Sequence, residues 1–354
     1  MSRSFHTKSR NSCGRCKQRR VKCNRQSPVC RNCARRNELC DFQLRIGDLA
    51  PEKAVIVAPT AVVWHKENAI LDYFSGVVAP SISLADPMIG IWRKEVLKYY
   101  RLSPPLYHMV ISVSVLHMSN QHMGLDTGLI RVVHQHFVDA VSLFRREITS
   151  LGKENSLPVF FFSILLLMVQ FATSHVRHGI SFGPTEIFEP TDILCSLQKA
   201  QKLSCQLVPF LATSSMASIF AETRPPVIGG DVKLAKTIFI VQETLHSLNL
   251  TVQHASEKEA IKSLLQWLQT LRSMQPGWRQ ICIWPASLSP GYIQRLRDKS
   301  QISMIVYLCW CLILGRSYKQ WMFTTYCRQA IRHVVARINW VWGDFLSQLL
   351  TEVE

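Results

Sequence analysis

Apolar residues recur every three or four positions along much of the chain, which is the spacing of a helix that buries one face. One such stripe lies on residues 261–268 and includes Ile261, Leu264, Leu265 and Leu268. A longer stripe lies between residues 126 and 152, and both segments are therefore predicted to be amphipathic helices. The members of the longer stripe are Ile130, Val133, Phe137, Val141, Phe144, Ile148 and Leu151.

Several predicted helices also carry signals at their first residues. Ser256 and Glu259 have the spacing of a capping box. Pro87 follows Asp86 and suits a first helical turn because its backbone angle is already helical. Thr191 marks another expected start. Convincing alternation of polar and apolar residues, which would indicate strands, is lacking in the sequence. We therefore predict an all-α body over residues 64–354, with no sheet.

Two runs, 159–172 and 302–315, are apolar nearly throughout. Each is 14 residues long, whereas a membrane-spanning helix requires roughly 18–20 residues. We interpret both runs as buried core helices and expect no membrane span. The N-terminal segment is basic and polar and lacks the apolar stretch of a secretory signal. An intracellular protein, in which thiols stay reduced, is expected.

Charge is concentrated at the N-terminus. The formal net charge is +17, and the first 50 residues hold 13 Lys and Arg against 3 acidic residues. The other 304 residues have a net charge of only +7. This distribution predicts a small head that binds a polyanion, followed by a nearly ordinary body. We place the head at residues 1–45 and a linker at 46–63, where Pro51 and Pro59 interrupt regular structure.

Six cysteines lie in the head, in two halves of identical spacing, Cys-x2-Cys-x6-Cys. Zinc prefers four ligands in a tetrahedron, so six thiolates serve two zinc ions only when two thiolates are shared. A single zinc ion with two spare thiols is the alternative. A segment this short buries too little apolar surface to fold alone, so we expect the metal to stabilise it. The candidate metal ligands are Cys13, Cys16, Cys23, Cys30, Cys33 and Cys40.

This segment resembles the DNA-binding module of the fungal zinc binuclear cluster transcription factors. It has that family's order of cysteines across residues 11–42, including the loop proline Pro28. It departs from the family at Gly14, where an acidic residue or asparagine is common. The resemblance implies two structural zinc ions bridged by the first and fourth cysteines, here Cys13 and Cys30. It also implies a nuclear protein that binds double-stranded DNA at CGG-like triplets.

The basic residues between the second and third cysteines are the candidate DNA contacts. Arginine can donate two hydrogen bonds to guanine O6 and N7. The resemblance implies that Arg19 and Arg20 contact bases, with Arg20 the first choice, while Lys17 and Lys22 bind phosphates. The alternative is that all four only neutralise phosphates. The same basic cluster also fits a nuclear import signal.

The two ends of the body, residues 64–120 and 284–315, are similar to the fungal-specific regulatory domain of sterol-responsive regulators. In those proteins the domain buries a hydrophobic small molecule, so the resemblance implies a ligand-binding-like body. The alternative is that the aromatic residues simply form the core. The linker has no heptad repeat, so a homodimer would have to form through the body. The candidate pocket walls are Phe160, Phe161, Phe162, Tyr307, Trp310 and Trp321.

Catalytic motifs are lacking in the sequence, which has no G-x-S-x-G, no H-E-x-x-H and no phosphate-binding loop. His134 and His136 have no second ligand cluster nearby in the sequence, and six further cysteines from Cys195 to Cys327 are interpreted as buried free thiols. An enzyme is therefore not expected.

The expected function is that of a sequence-specific transcription factor at RNA polymerase II promoters. The resemblance suggests regulation of a metabolic pathway, either secondary-metabolite biosynthesis or sterol and lipid handling. The alternative is a sensor of a hydrophobic small molecule, whose helical body controls nuclear entry or activation.

Overall fold

The computed structural model describes residues 16–17, 19, 21–24, 30–36, 67–84, 86–121, 127–173, 189–214, 216–217, 232–248, 250, 252–273, 277–338 and 343. The chain divides into two compact units, Met1–Ala61 and Val62–Glu354. The predicted linker, 46–63, and three predicted site residues, Cys13, Arg20 and Cys40, lie outside the described residues.

Helices account for the regular structure of the described residues, where no strand occurs. The prediction of an all-α body is confirmed. Of these helices, α1 (Arg31–Ala34) lies in the described part of the first unit. Those of the second unit are α2 (Glu67–Tyr73), α3 (Ala79–Ile82), α4 (Asp86–Ile91), α5 (Leu97–Tyr99), α6 (Pro104–Gln121), α7 (Thr127–Glu147), α8 (Ser156–Thr173), α9 (Pro190–Leu211), α10 (Val232–Ser247), α11 (Ala255–Ser273), α12 (Trp278–Ser287), α13 (Pro290–Arg297), α14 (Gln301–Ser317) and α15 (Trp321–Val335).

The predicted stripe of residues 130–151 forms the buried side of α7. This helix packs along α6, which is buried nearly all round. Val133 is buried, and the ring of Phe144 stacks on Phe162 of α8 with centroids 4.2 Å apart. The helix ends at Glu147, so Ile148 and Leu151 follow it, yet both still pack against the core.

The two apolar runs lie in α8 and α14, and both helices are mostly buried in the body. α8 is 18 residues long, longer than the predicted run, and is long and apolar enough to cross a membrane. In the body, however, 72% of it is buried, and a core helix passes the same test of length and composition. α13 and α14 pass it only as a pair, and they are bent by 103° relative to each other. Burial within the body supports the interpretation of core helices.

The predicted helix starts are approximately right. Asp86 begins α4, and α9 begins at Pro190, where the side chain of Glu189 accepts a hydrogen bond from the Thr191 backbone N–H. The capping box at Ser256 is wrong because α11 already begins at Ala255. Ser256 instead donates its hydroxyl to the carboxylate of Glu257 at 2.9 Å.

Two indoles connect helices α11 and α12 by hydrogen bonds to backbone carbonyls. Trp267 Nε1 donates to the Gln280 carbonyl at 2.7 Å, and Trp284 Nε1 donates to the Ala260 carbonyl at 2.9 Å. Both rings are fully buried. Each therefore combines a large apolar contact with a satisfied polar group, which favours a fixed arrangement of the two helices.

Candidate zinc and nucleic-acid site

Four of the six predicted metal ligands are described, and all four are buried next to one another: Cys16, Cys23, Cys30 and Cys33. The sulfurs of Cys16, Cys23 and Cys30 lie within 4.8 Å of one another. Cys16 Sγ and Cys30 Sγ are 3.6 Å apart. The other two, Cys13 and Cys40, lie outside the described residues.

This arrangement suits zinc. With zinc–sulfur bonds of about 2.3 Å, two sulfurs on one tetrahedral ion lie about 3.8 Å apart. The 3.6 Å between Cys16 Sγ and Cys30 Sγ is close to that value. Buried thiols without a metal have little reason to gather in a segment with so few apolar side chains. The described cysteines therefore fit a thiolate-bound metal.

Local backbone structure brings the second pair of cysteines to one side of α1. Cys30 is the residue before the helix, and its carbonyl accepts hydrogen bonds from the N–H groups of Cys33 and Ala34, each at 2.9 Å. Side chains three residues apart share one face of a helical turn. In the first half, the N–H of Val21 donates to the Cys16 carbonyl at 3.0 Å.

Two asparagines connect the halves of the head. Asn24 Oδ1 accepts a hydrogen bond from the Arg31 backbone N–H at 2.8 Å, at the start of α1. Asn32 Nδ2 donates to the Lys22 carbonyl at 2.8 Å. The sequence analysis missed both residues. Asn24 lies seven residues before Arg31, so the local preference of asparagine for the N-cap position gave no signal for it.

The predicted DNA contacts differ in their surroundings. Lys17 and Lys22 have exposed side chains, as do Arg31, Arg35 and Arg36 in the second half. By contrast, Arg19 is half-buried, and its Nη2 donates to Cys33 Sγ at 3.5 Å. The structure therefore places one predicted DNA contact against the cysteine cluster. Arg20 lies outside the described residues.

Comparison with known proteins identifies a domain in each part of the chain. The fungal-specific transcription factor domain matches residues 69–276, more than half of the chain, and the fungal Zn(2)-Cys(6) binuclear cluster domain matches residues 11–47. The chain belongs to the Zn(2)-C6 fungal transcription factors. The resemblance inferred from the sequence is confirmed.

Membership of this family decides between two zinc ions with shared thiolates and a single zinc ion with two spare thiols. The Zn(2)-Cys(6) domain binds two zinc ions through six cysteines, so the prediction of two structural zinc ions is confirmed, and the single-ion alternative is not supported. Proteins of the family are DNA-binding, nuclear transcription factors rather than enzymes.

The curated relatives match the chain over part of its length. The Zn(2)-C6 fungal-type transcription factor afumD of Aspergillus fumigatus is 29% identical over 192 residues, 51% of this chain and 51% of that protein. Sterol uptake control protein 2 of Candida albicans is 52% identical over 40 residues, 11% of this chain and 6% of that protein. The Saccharomyces cerevisiae protein of the same name is 48% identical over 40 residues, 11% of this chain and 4% of that protein. The chain thus spans about half of the first relative.

The six aromatic residues predicted as pocket walls all pack in the body. Phe161 contacts the Trp92 ring at 5.5 Å between centroids, and Tyr307 shares a hydrogen bond with Tyr326 between their hydroxyls. Phe160 and Phe162 are also buried, and Trp310 packs against Trp284. Trp321 is half-buried and contacts the His117 ring at 5.6 Å. These contacts are those of core residues.

The prediction of six buried free thiols is right for four cysteines. Cys282, Cys309, Cys311 and Cys327 are buried. Cys205 is exposed and Cys195 half-buried, because α9 presents one side to solvent. Burial raises the pKa of the Cys282 thiol to about 12. Such a thiol stays protonated at neutral pH and is a poor nucleophile.

Proposed function

We propose that this chain is a nuclear, sequence-specific DNA-binding transcription factor that acts at RNA polymerase II promoters and is not an enzyme. The observation that supports it is the buried group of cysteines with exposed basic side chains beside it, within a segment that matches the Zn(2)-Cys(6) domain. We divide the chain into a DNA-binding head at 1–45, a linker at 46–63 and a helical regulatory body at 64–354.

The proposed mechanism begins with the metal ligands. Bound zinc would supply a rigid cross-link between the two halves of the head. Exposed lysines Lys17 and Lys22 would bind DNA phosphates, and Arg20 would donate two hydrogen bonds to a guanine of a CGG-like triplet. The ligands would be Cys13, Cys16, Cys23, Cys30, Cys33 and Cys40, with Cys13 and Cys30 bridging the two ions.

Titration of the full chain with CGG-containing and scrambled duplexes tests this proposal. We expect selective binding that is lost on chelation and restored by zinc.

Arg20→Ala should reduce the preference for CGG by about 1–3 kcal/mol, since it removes a base contact. Lys22→Ala should weaken binding to both duplexes alike. It should also reduce the slope of log affinity against log salt concentration by about one, because one phosphate contact is lost. Zinc-loaded protein that binds both duplexes equally would refute sequence-specific function.

The regulated process is proposed from the names of the relatives. Two of them are called sterol uptake control proteins. We infer that this chain regulates a metabolic pathway, in secondary-metabolite biosynthesis or in sterol and lipid handling. Genome-wide binding sites would test this inference, and sites spread without regard to metabolic genes would contradict it. A homodimer through the body remains a prediction.

A sensor of hydrophobic small molecules is the second candidate function. Trp321 Nε1 and His117 Nε2, whose rings are in contact, are buried and have no hydrogen-bond partner among the described residues. His117 Nδ1 does have one, the Tyr73 hydroxyl at 2.8 Å. A buried polar atom without a protein partner is a place where water or a ligand supplies the hydrogen bond. This pattern favours an amphipathic ligand, mostly apolar with a hydroxyl or carbonyl group.

Thermal unfolding of the full chain with a solubilised sterol or a long-chain fatty acid tests the second candidate. Ligand that binds only the folded body raises the melting temperature with concentration. We expect His117→Phe to remove this rise, because it removes a hydrogen-bonding group from the interior. An unchanged melting temperature with both probes would argue against the sensor.

A further inference from the structure

Arg19 lies against the cysteine cluster and joins the two halves of the head. Its Nη2 donates to Cys33 Sγ at 3.5 Å, across 14 residues of sequence. Its side chain is half-buried, whereas Lys17, Lys22 and Arg35 are exposed. A guanidinium keeps its positive charge at any pH at which the protein is folded.

The charge of the metal cluster explains why a cation belongs at this position. Six thiolates carry two more charges than two zinc ions neutralise. Cys30 and Cys33 have no exposed surface, so water compensates this excess poorly. A charged N–H donor hydrogen-bonded to a sulfur compensates it locally, and such hydrogen bonds are stronger than neutral ones. Partners outside the ligand shell of this kind orient ligands and tune metal affinity.

The same contact limits what Arg19 can do with DNA. Direct recognition of guanine requires two donors of one guanidinium to face O6 and N7 together. Nη2 carries two N–H groups and belongs to both two-donor edges of the guanidinium, so its contact with Cys33 leaves one edge for a base. A base contact by Arg19 is therefore restricted to the edge that faces away from the cluster.

We propose that Arg19 is a positioning residue of the zinc cluster: its guanidinium holds the Cys33 sulfur, offsets the excess thiolate charge and slows the loss of zinc. This role rests on the two zinc ions of the family's domain and is independent of the proposed DNA specificity. Arg19 thereby acts on DNA binding through the stability of the cluster.

Zinc retention in the full chain tests this role. Wild type, Arg19→Gln and Arg19→Lys are prepared with zinc, the ions per chain are counted by native mass spectrometry, and zinc transfer to a coloured chelator is timed. Arg35→Gln is the matched control, because it removes the same charge from an exposed arginine of the same head. We expect transfer from Arg19→Gln to be roughly 10–100 times faster than from the control. Arg19→Lys should lie between them, since it keeps the charge and loses the planar fork.

A readout independent of zinc counting comes from cobalt, which replaces zinc in thiolate sites and absorbs light. Loss of the hydrogen bond to Cys33 should shift the sulfur-to-cobalt charge-transfer band of Arg19→Gln but not that of Arg35→Gln. A variant that loads fewer than two zinc ions, when the control loads two, also supports the proposal. Arg19→Gln with the control's zinc content, transfer rate and cobalt spectrum overturns it. If that variant then binds DNA poorly, Arg19 is a direct DNA contact instead.

Discussion

At the scale of single residues, two histidines of the body face each other across α6 and α7. His108 Nδ1 and His136 Nδ1 are 2.8 Å apart, so one ring must donate a proton that the other accepts. Burial lowers the pKa of both rings, His108 also lowers the pKa of His136, and Asp139 opposes these effects in part. With both rings protonated, two N–H groups would point at each other. The geometry therefore favours the pair with at most one proton between the two Nδ1 atoms.

Because of this histidine pair, we predict that the free energy of unfolding decreases in acid. Both folded-state pKa values lie below the ordinary value of about 6.5. As the pH falls below about 6.5, the unfolded chain takes up protons before the folded chain does, so the free energy of unfolding decreases. Urea unfolding at pH 7.5 and 5.5 measures this loss. His136→Gln should reduce the loss, whereas His134→Gln, at an exposed neighbour on α7, should not. An unchanged loss in His136→Gln would contradict the assignment.

At the scale of helices, a buried carboxylate connects the start of α11 to α13 and α14. Glu257 has no exposed surface, and Arg295 Nε donates to its Oε1. Ser300 and Ser303 also donate to this oxygen, at 3.3 and 3.2 Å. Burial by itself would raise the pKa of Glu257, but hydrogen bonds from Arg295 and Ser256 hold it below the ordinary value. The carboxylate is therefore ionised and depends on its donors.

The two partners of this ion pair should differ in what their loss costs. Arg295→Met leaves a fully buried charge whose remaining donors are hydroxyl groups and a backbone N–H, and breaking such pairs costs about 3–5 kcal/mol. We expect the lower end, about 3 kcal/mol, because Arg295 is itself 40% exposed and water already weakens the pair. Glu257→Gln leaves only that solvent-accessible guanidinium unpaired and should cost less, about 1–2 kcal/mol. Equilibrium urea unfolding gives both values. A larger loss of stability in Glu257→Gln than in Arg295→Met would show that the carboxylate does not depend on the ion pair more than the guanidinium does.

Sequence patterns predicted those features of the helices that depend on local spacing. The apolar faces of α7 and α11 follow from the helical period, and four described cysteines cluster as their spacing implied. The π-helical turns Phe74–Val78 and Trp92–Val96 were not predicted, because a wider turn leaves no periodic signal of its own. The contact of Arg19 with Cys33 was also missed, since spacing states which residues are near a ligand but not where a flexible side chain points.

At the scale of the whole molecule, the two units derive their stability from different sources. The buried cluster described in the head consists of four cysteines. The body has a large apolar core that includes fully buried Trp92, Trp267, Trp284 and Trp310. A head whose described buried cluster consists of cysteines is expected to depend on its metal, whereas the body has enough buried apolar surface to fold by the hydrophobic effect. Metal removal should therefore act on the two units differently.

Chelation of the full chain tests this difference between the units. We expect the head to fold only with its metal, so removal of zinc should abolish selective DNA binding. The main thermal transition, followed by helical circular dichroism, should move by less than about 1 °C, since zinc stabilises only a unit that binds it. Restored zinc should return DNA binding, which excludes damage by the chelator. A fall of several degrees would mean instead that the body's stability depends on a folded head, and the regulatory body would then sense the state of the zinc cluster directly.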